Sequence, residues 1–135
     1  MADTFTLEIV TPSGILVSEE TTEVTAPSTE GEFGVLPNHT DYITALKPGL
    51  VSYKKDDKDC VVVVGGGYAE VSQEKTNILV DYAKLATEID KNAANEELKT
   101  AEATLAETKE DDSHYAKCKE AVDLAEAKIA GAQKA

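Results

Sequence analysis

The side chains that could carry out acid–base or nucleophilic chemistry are few in this sequence and lie far apart. His39 stands two residues before Asp41, with Thr40 between them, which would suit part of a hydrolytic triad. A triad needs a complete set of nucleophile, base and orienting acid, and the sequence lacks the G-x-S-x-G signature of a nucleophile turn. We therefore interpret His39 as a turn residue at the surface.

The cysteines and the glycine-rich segment suggest no metal or phosphate chemistry either. Cys60 and Cys118 fit no metal-ligand spacing, so we expect two reduced thiols. Gly65-Gly66-Gly67 follows a strand, as a phosphate loop would, but no Lys-Ser/Thr pair comes after it and residues 68–71 continue as a strand. The glycines predict a bulge or a tight crossing. The acid pairs Glu19-Glu20 and Glu96-Glu97 are interpreted as solvated faces.

The charge balance excludes several classes of partner. The 135 residues include 26 acidic side chains and 13 lysines but no arginine, which gives a net charge of −13. Nucleic acids and anionic membranes bind clustered basic residues, so neither is an expected partner. Without arginine there is no bidentate phosphate fork, which argues against phosphoryl-transfer chemistry. No catalytic set remains, and we expect a protein that is not an enzyme.

Targeting and membrane signals are missing from the sequence as well. Residues 1–5 show neither a basic n-region nor an apolar h-region, so we expect no signal peptide. The longest aliphatic run, residues 60–64, is far shorter than the roughly 20 residues that a membrane-spanning helix needs. We expect no direct insertion into a membrane.

The elements that must position any site change character near residue 85. All four prolines and seven of the eight glycines precede residue 68, whereas thirteen of eighteen alanines lie in residues 86–135. This predicts a β domain over residues 1–85 and a helical part over residues 86–135. Alternating apolar residues and frequent turn signals favour about ten short strands in an antiparallel sandwich, with residues 27–34 as a loop.

The helical part is predicted to be an antiparallel two-helix hairpin. Thr87 and Asp90 have the spacing of a capping box before the first helix, and residues 110–113 supply a turn and an acidic N-cap for the second. One apolar stripe runs along each helix: Ala94, Leu98, Ala101 and Leu105 on the first, and Tyr115, Cys118, Val122, Ala125, Ile129 and Ala132 on the second. Because alanine buries little surface, we expect a weakly held element that a partner or ligand can move.

Five segments in order resemble the ε subunit of the F-type proton-translocating ATP synthase of bacteria and chloroplasts. They read LEIVTP (7–12), TEGEFGVLPNH (29–39), LKPG (46–49), GGGYAEV (65–71) and ILVD (78–81). Each motif is weak alone, but their order and spacing, together with the alanine-rich hairpin, cover nearly the whole chain. The resemblance implies a ten-stranded β-sandwich followed by two antiparallel helices.

The resemblance also implies a function and partners. Such a subunit is a non-catalytic part of the rotating central stalk, which couples proton flow through the c-ring to ATP synthesis. Its sandwich binds the γ subunit and rests on the c-ring subunits, through positions that match Glu32 and His39 here. Its hairpin folds against the sandwich or extends along γ, where it blocks ATP hydrolysis by the α/β catalytic hexamer. The expected location is the cytoplasmic face of the bacterial inner membrane, as a peripheral subunit.

Two departures from the family pattern concern regulation. Some bacterial members bind ATP through I/L-D-x-x-R-A; this chain has Ile89-Asp90-Lys91-Asn92-Ala93 there, with Asn92 interpreted as the replacement of the arginine. We therefore expect no ATP binding at physiological concentrations, and no cofactor. For the inhibitory contact with an acidic segment of the catalytic subunit, Lys117, Lys119 and Lys128 are the candidates. Residues 88–135 carry 12 acids and 7 lysines, net −5, so we expect modest inhibition.

An alternative from another class remains open. The chain could be a small-ligand-binding β domain whose helical part is a lid. Such a domain needs an apolar pocket with a few convergent polar groups, and only two Phe and no Trp are available to line it. Co-purification with a γ-like partner would separate the two functions.

Overall fold

The computed structural model describes residues 4–37 and 41–134, and it confirms a ten-stranded sandwich followed by two packed helices. The strands are β1 (Phe5–Thr11), β2 (Gly14–Thr21), β3 (Val24–Ser28), β4 (Gly31–Val35), β5 (Tyr42–Leu46), β6 (Gly49–Lys55), β7 (Lys58–Val64), β8 (Gly67–Val71), β9 (Lys75–Val80) and β10 (Ala83–Leu85). A 3₁₀ turn (Ala86–Glu88) precedes α1 (Lys91–Glu107) and α2 (Tyr115–Lys134).

The core of the sandwich follows from residues that alternate along each strand. Phe5, Leu7 and Ile9 of β1 are buried, while the residues between them are only half-buried, as the period of two predicts. The same alternation on the other strands completes one apolar core, whose further members include Val24, Val51, Val62, Val64, Ala69, Val71, Ile78 and Val80.

The strands form one sheet that curls back on itself. Their order is β10-β7-β6-β3-β5-β8-β9-β1-β2, with β4 paired to β3 off this path. Neighbours are antiparallel except β1 and β9, which run parallel and are joined by no tight turn. Lys54 N donates a hydrogen bond to Thr21 Oγ1 at 3.2 Å, so β2 and β6 approach each other and the sheet nearly closes.

The prediction of a loop over residues 27–34 was wrong. This segment forms the β3–β4 hairpin, in which Pro27 pairs with Glu32 and Ser28 pairs with Gly31. Gly31 adopts φ +123°, a conformation that glycine tolerates at a turn. Proline gives no N–H to the ladder, but its carbonyl accepts a hydrogen bond from Lys47 N at 3.1 Å. Pairing within this hairpin, and of β3 with β5 and β6, therefore outweighs the local turn composition.

The helical hairpin begins with a cap that differs from the predicted capping box. Asp90 is itself the N-cap of α1, and its Oδ1 accepts hydrogen bonds from Asn92 N at 2.9 Å and Ala93 N at 3.2 Å. Thr87 lies in the preceding 3₁₀ turn and takes no part in that cap. The predicted stripes of the two helices face each other, with Ala94, Val122 and Ala125 buried between them.

Helix α2 packs directly on the sandwich, against β6, β7 and the 3₁₀ turn. Val63 points away from the sandwich core, yet it is buried because α2 covers it. Gly131 makes this approach possible, since a Cβ there would lie 2.6 Å from Val63 Cγ2 and 3.2 Å from Leu50 Cδ2. The hairpin is therefore docked in this structure.

None of the helices within residues 4–37 and 41–134 combines the length and the apolar character that crossing a bilayer requires.

Candidate functional site

A row of apolar side chains crosses five neighbouring strands on the outer face of the sheet. Cross-strand pairs link its members in sequence: Ala45 to Tyr68, Tyr68 to Leu79, Leu79 to Val10, and Val10 to Ile15. Tyr68, Leu79 and Ile15 expose 62%, 47% and 61% of their surface. We call this set (Ala45, Tyr68, Leu79, Val10 and Ile15) the apolar row. Contiguous exposed apolar surface of this kind marks an interaction site.

A polar row runs beside the apolar row on the same face. Its cross-strand pairs connect Glu70 to Asn77, Asn77 to Glu8, and Glu8 to Ser18. Lys75 at the edge of this row forms an ion pair with Glu8 at 2.6 Å. The face therefore has an apolar strip bordered by charged and polar groups, the composition typical of a protein–protein interface.

The three-glycine segment lies where β7, β8 and the β9–β10 connection meet. Gly65 N donates a hydrogen bond to Tyr82 O at 2.8 Å, and a Cβ on Gly65 would lie 3.2 Å from Tyr82 Cβ. A Cβ on Gly67 would collide with the backbone of β9 at Leu79 and Val80. The prediction of a tight crossing that only glycine tolerates is confirmed. The segment holds Tyr82 in place beneath α2.

Lys128 occupies the junction between both helices and the sandwich. Its Nζ lies 2.6 Å from Glu97 Oε2 on α1 and 4.7 Å from the centre of the Tyr82 ring. The Lys128 side chain is only 14% exposed. The interpretation of Glu97 as part of a solvated face is confirmed, since the residue is exposed, and its carboxylate also forms an ion pair with the lysine.

The other two candidate lysines lie on different sides of α2. Lys117 lines an open groove of about 690 Å³ between the two helices, together with Thr100, Ala101, Cys118 and Leu124. Lys119 faces the turn at Pro48 on the sandwich side. The structure therefore does not bring Lys117, Lys119 and Lys128 together into one basic cluster.

The candidate ring contacts and the nucleotide motif are placed as follows. Glu32 is exposed on β4, and His39 lies outside the described residues. Counted from Ile89 and Asp90, the arginine position of the motif falls on Ala93 and not on Asn92, as interpreted from the sequence. Asp90 caps α1, and the exposed Asn92 and Ala93 meet that cap through their backbone N–H groups.

Metal chemistry finds no support in the geometry. Within the part of the chain that the structure describes, no three His, Cys, Asp or Glu side chains come close enough to hold a metal ion. The groove between the helices is an open surface on the hairpin, and the sandwich interior is filled by its own side chains. The apolar row and the open groove are surfaces that another protein can contact.

Sequence reasoning missed the apolar row, Tyr82 and Gly131. Members of the row alternate with core residues on their strands, and only the register between strands shows that they line up. Gly131 and Lys128 carry no apolar signal, so periodicity could not identify the second face of α2.

Comparison with known proteins identifies similar chains. The family model described as "ATP synthase, Delta/Epsilon chain, beta-sandwich domain" matches residues 4–86. An ATP synthase epsilon chain of Geotalea uraniireducens is 38% identical over 135 residues, which cover 100% of this chain and 98% of the relative. One of Nitratidesulfovibrio vulgaris is 44% identical over 108 residues, which cover 80% of this chain and 81% of the relative.

A solved structure shows the same fold. A chain in the cryo-EM structure of Euglena gracilis mitochondrial ATP synthase, described as OSCP/F1/c-ring in rotational state 1, superimposes with a TM-score of 0.80. The two chains are 23% identical, and the match covers 98% of this chain and 82% of the other. The sandwich and the docked helices thus recur together.

Proposed function

This chain belongs to the epsilon chains of ATP synthase, and on that premise we propose that it is a central-stalk subunit of the rotor. It is a non-catalytic subunit of that complex. In this role it couples proton flow through the c-ring to ATP synthesis by joining the c-ring to the γ subunit. The complex is expected at the cytoplasmic face of the bacterial inner membrane, with this chain as a peripheral component.

The apolar row carries the proposal. A monomer would expose Tyr68, Leu79 and Ile15 to water at a cost, whereas a bound partner removes them from water and gains about 25 cal/mol per Å² of apolar surface. The row lies on the outer face across five strands, which suits a large protein surface better than a small ligand. We assign the row to the γ subunit.

The binding test compares three residues on two neighbouring strands, Tyr68 on β8 and Leu79 and Asn77 on β9. Leu79→Asn and Tyr68→Asn each remove an exposed apolar side chain from the row, so the affinity for the isolated γ subunit should fall about tenfold or more. Asn77→Ser, on the same face but in the polar row, is the matched control and should change the affinity less than about twofold. Calorimetric titration measures both. Equal affinities for all three variants would remove the row from the γ interface.

Glu32 and His39 are the proposed contacts with the c-ring. Glu32 is exposed beside the turn of the β3–β4 hairpin, where a loop of a neighbouring subunit can reach its carboxylate. The placement of His39 rests on the motif at residues 29–39 alone. Both residues would meet polar loops of the ring at the end of the rotor.

The hairpin is the proposed regulatory part, so the chain divides into a docking domain (1–85) and a regulatory domain (86–135). In the docked state, α2 lies on the sandwich through Gly131 and Val63. In the extended state, Lys117, Lys119 and Lys128 would meet an acidic segment of the α/β hexamer and restrain ATP hydrolysis. The net charge of −5 over residues 88–135 keeps this restraint modest.

A further inference from the structure

We propose that Lys128, Tyr82 and Glu97 form a latch that holds the helical hairpin on the sandwich. The latch joins three separate elements: Lys128 comes from α2, Glu97 from α1, and Tyr82 from the connection between β9 and β10. The ammonium group lies 2.6 Å from the carboxylate and 4.7 Å from the ring centre, so one cation meets both partners at once. Breaking the latch frees α2 from the sandwich and α1 from α2.

Burial sets this ion pair apart from the others among the described residues. The lysine side chain of the latch is 14% exposed, whereas Lys54, Lys55 and Lys75 expose 37%, 48% and 44% in their own pairs. Exposed pairs add little to stability because water and salt screen them. A cation that is mostly withdrawn from water loses hydration and gains from both the carboxylate and the aromatic face.

The other contacts of the hairpin bury little apolar surface, so the latch contributes a large part of the free energy of docking. The buried residues of the two helices are Ala94, Val122, Ala125, Ala127 and Gly131, none larger than valine, whereas the leucines and the isoleucine of the hairpin are only half-buried. Alanine and glycine bury little apolar surface, so the free energy of docking from packing is small. Charge and ring contacts therefore make up a large share of it.

The sandwich holds its part of the latch rigidly. The backbone of Tyr82 is bonded to Gly65 N at 2.8 Å, and Asp81 N donates to Gly66 O at 3.1 Å. These bonds fix the β9–β10 connection against the glycine segment, so the ring is already in position when α2 docks. The glycines thereby serve the helices as well as the sheet crossing.

Lys128 can either hold the hairpin on the sandwich or contact an acidic partner, but it cannot do both at once. While its ammonium group is held by Glu97 and Tyr82, it is unavailable to an acidic partner. The ammonium group of Lys128 becomes available to such a partner only when the latch is open. This second part rests on the proposed regulatory function, whereas the latch itself does not.

The latch is tested first in the isolated full-length chain by hydrogen exchange. Lys128→Met keeps the length of the side chain without its charge, and Tyr82→Leu removes the ring. Each should raise exchange of amides in residues 91–134 about tenfold, with the strand amides unchanged. Lys128→Arg and Tyr82→Phe preserve the charge and the ring, and they should stay within about twofold of the wild type.

The double variant decides whether the two side chains act together. If they form one latch, Lys128→Met with Tyr82→Leu should exchange no faster than about twice either single variant. The latch would be refuted if the rate increases of the two single variants multiplied in the double variant. It would also be refuted if Lys128→Met left the exchange rate unchanged. Protected strand amides in every variant show that the sandwich has kept its fold.

A second experiment separates the latch from the regulatory function. The double variant Tyr82→Leu with Glu97→Gln removes both partners of Lys128 but keeps the lysine, so the assembled complex should hydrolyse ATP more slowly than wild type. If this double variant speeds exchange in the isolated chain but leaves hydrolysis unchanged, the latch stands and the proposed regulation fails. If it changes neither, the latch itself fails.

Discussion

Tyr53 shows how strongly a single buried side chain depends on its surroundings. It lies on β6 opposite Cys60 on β7 and is 6% exposed. Burial, followed by the effects of Cys60 and Glu19, raises the pKa of Tyr53 from 10.0 to about 12. The neutral phenol is therefore favoured by the fold, and it carries no charge at physiological pH.

The sign of this shift predicts a loss of stability in alkali. The contribution of Tyr53 is fully present below pH 10, where the phenol is neutral in both states, and is lost as the pH rises through 12. Denaturant unfolding at pH 8 and pH 11 should show a loss that Tyr53→Phe reduces by about 2 kcal/mol or less. The control variant Tyr68→Phe should retain the full loss, and an identical loss in Tyr53→Phe would refute the shift.

The nucleotide motif predicts that the chain does not bind ATP at physiological concentrations. The oxygen Oδ1 of Asp90 is engaged by two backbone N–H groups, and Ala93 offers a methyl group where the motif has arginine. No arginine elsewhere in the sequence could replace it. Calorimetric titration should give no heat of binding, and micromolar affinity would show that another set of residues binds the nucleotide.

At the residue scale, the sequence predicts why a residue type occurs at a position better than it predicts which residues contact that position. The glycine segment 65–67 was predicted correctly, because only close approach explains three glycines between strands. Lys128 was predicted only as an inhibitory contact, since nothing local places Tyr82 or Glu97 beside it. Those neighbours come from 46 and 31 positions away along the chain.

At the scale of elements, α2 carries two faces, and sequence reasoning found one. The stripe from Tyr115 to Ala132 meets α1, as its spacing predicts. The second face, with Leu124, Ala127, Lys128 and Gly131, meets the sandwich, and Leu124 is its one large apolar residue. The continuous run 60–64 was a usable signal, since a strand that is apolar on both sides needs a cover on each.

The absence of a side chain at Gly131 allows the close approach of α2 to the sandwich, so a larger residue there should weaken docking. Gly131→Val places side-chain atoms where Val63 Cγ2 already lies 2.6 Å from an ideal Cβ, so α2 must shift away. Overpacking of this kind costs about 1–3 kcal/mol, which should appear as faster hydrogen exchange over residues 115–134. Gln133→Val, exposed in the same helix, is the control and should leave exchange near the wild-type rate. Exchange in Gly131→Val as slow as in the wild type would mean that the neighbouring side chains move aside without loss of stability.

Some strands were also predicted from the sequence and others were missed. β1 was found from its alternation, whereas β10 and the β3–β4 hairpin were missed. Three residues are too few for a periodic signal, and Pro27, Gly31 and Gly34 read locally as a loop. β10 is a strand because it pairs with β7, and β3 also pairs with β5 and β6; no short window contains these distant partners.

At the scale of the whole molecule, two parts of different strength sit side by side. The sandwich has one continuous apolar core, whereas the buried residues of the hairpin are small and its contact with the sandwich includes a partly buried lysine. A net charge of −13 is spread over both, −8 in residues 1–87 and −5 in residues 88–135. These two parts agree with the proposed docking domain and the proposed movable regulatory hairpin.

The most direct test of this account removes residues 88–135 and measures the assembled ATP synthase. The truncated chain retains the apolar row, so it should stay bound to the complex. On the proposed regulatory role, hydrolysis of ATP should rise by less than about fivefold, because the net charge of −5 over residues 88–135 would weaken a contact with an acidic partner. Loss of the truncated chain from the complex, or a hydrolysis rate equal to that of the wild type, would contradict the account.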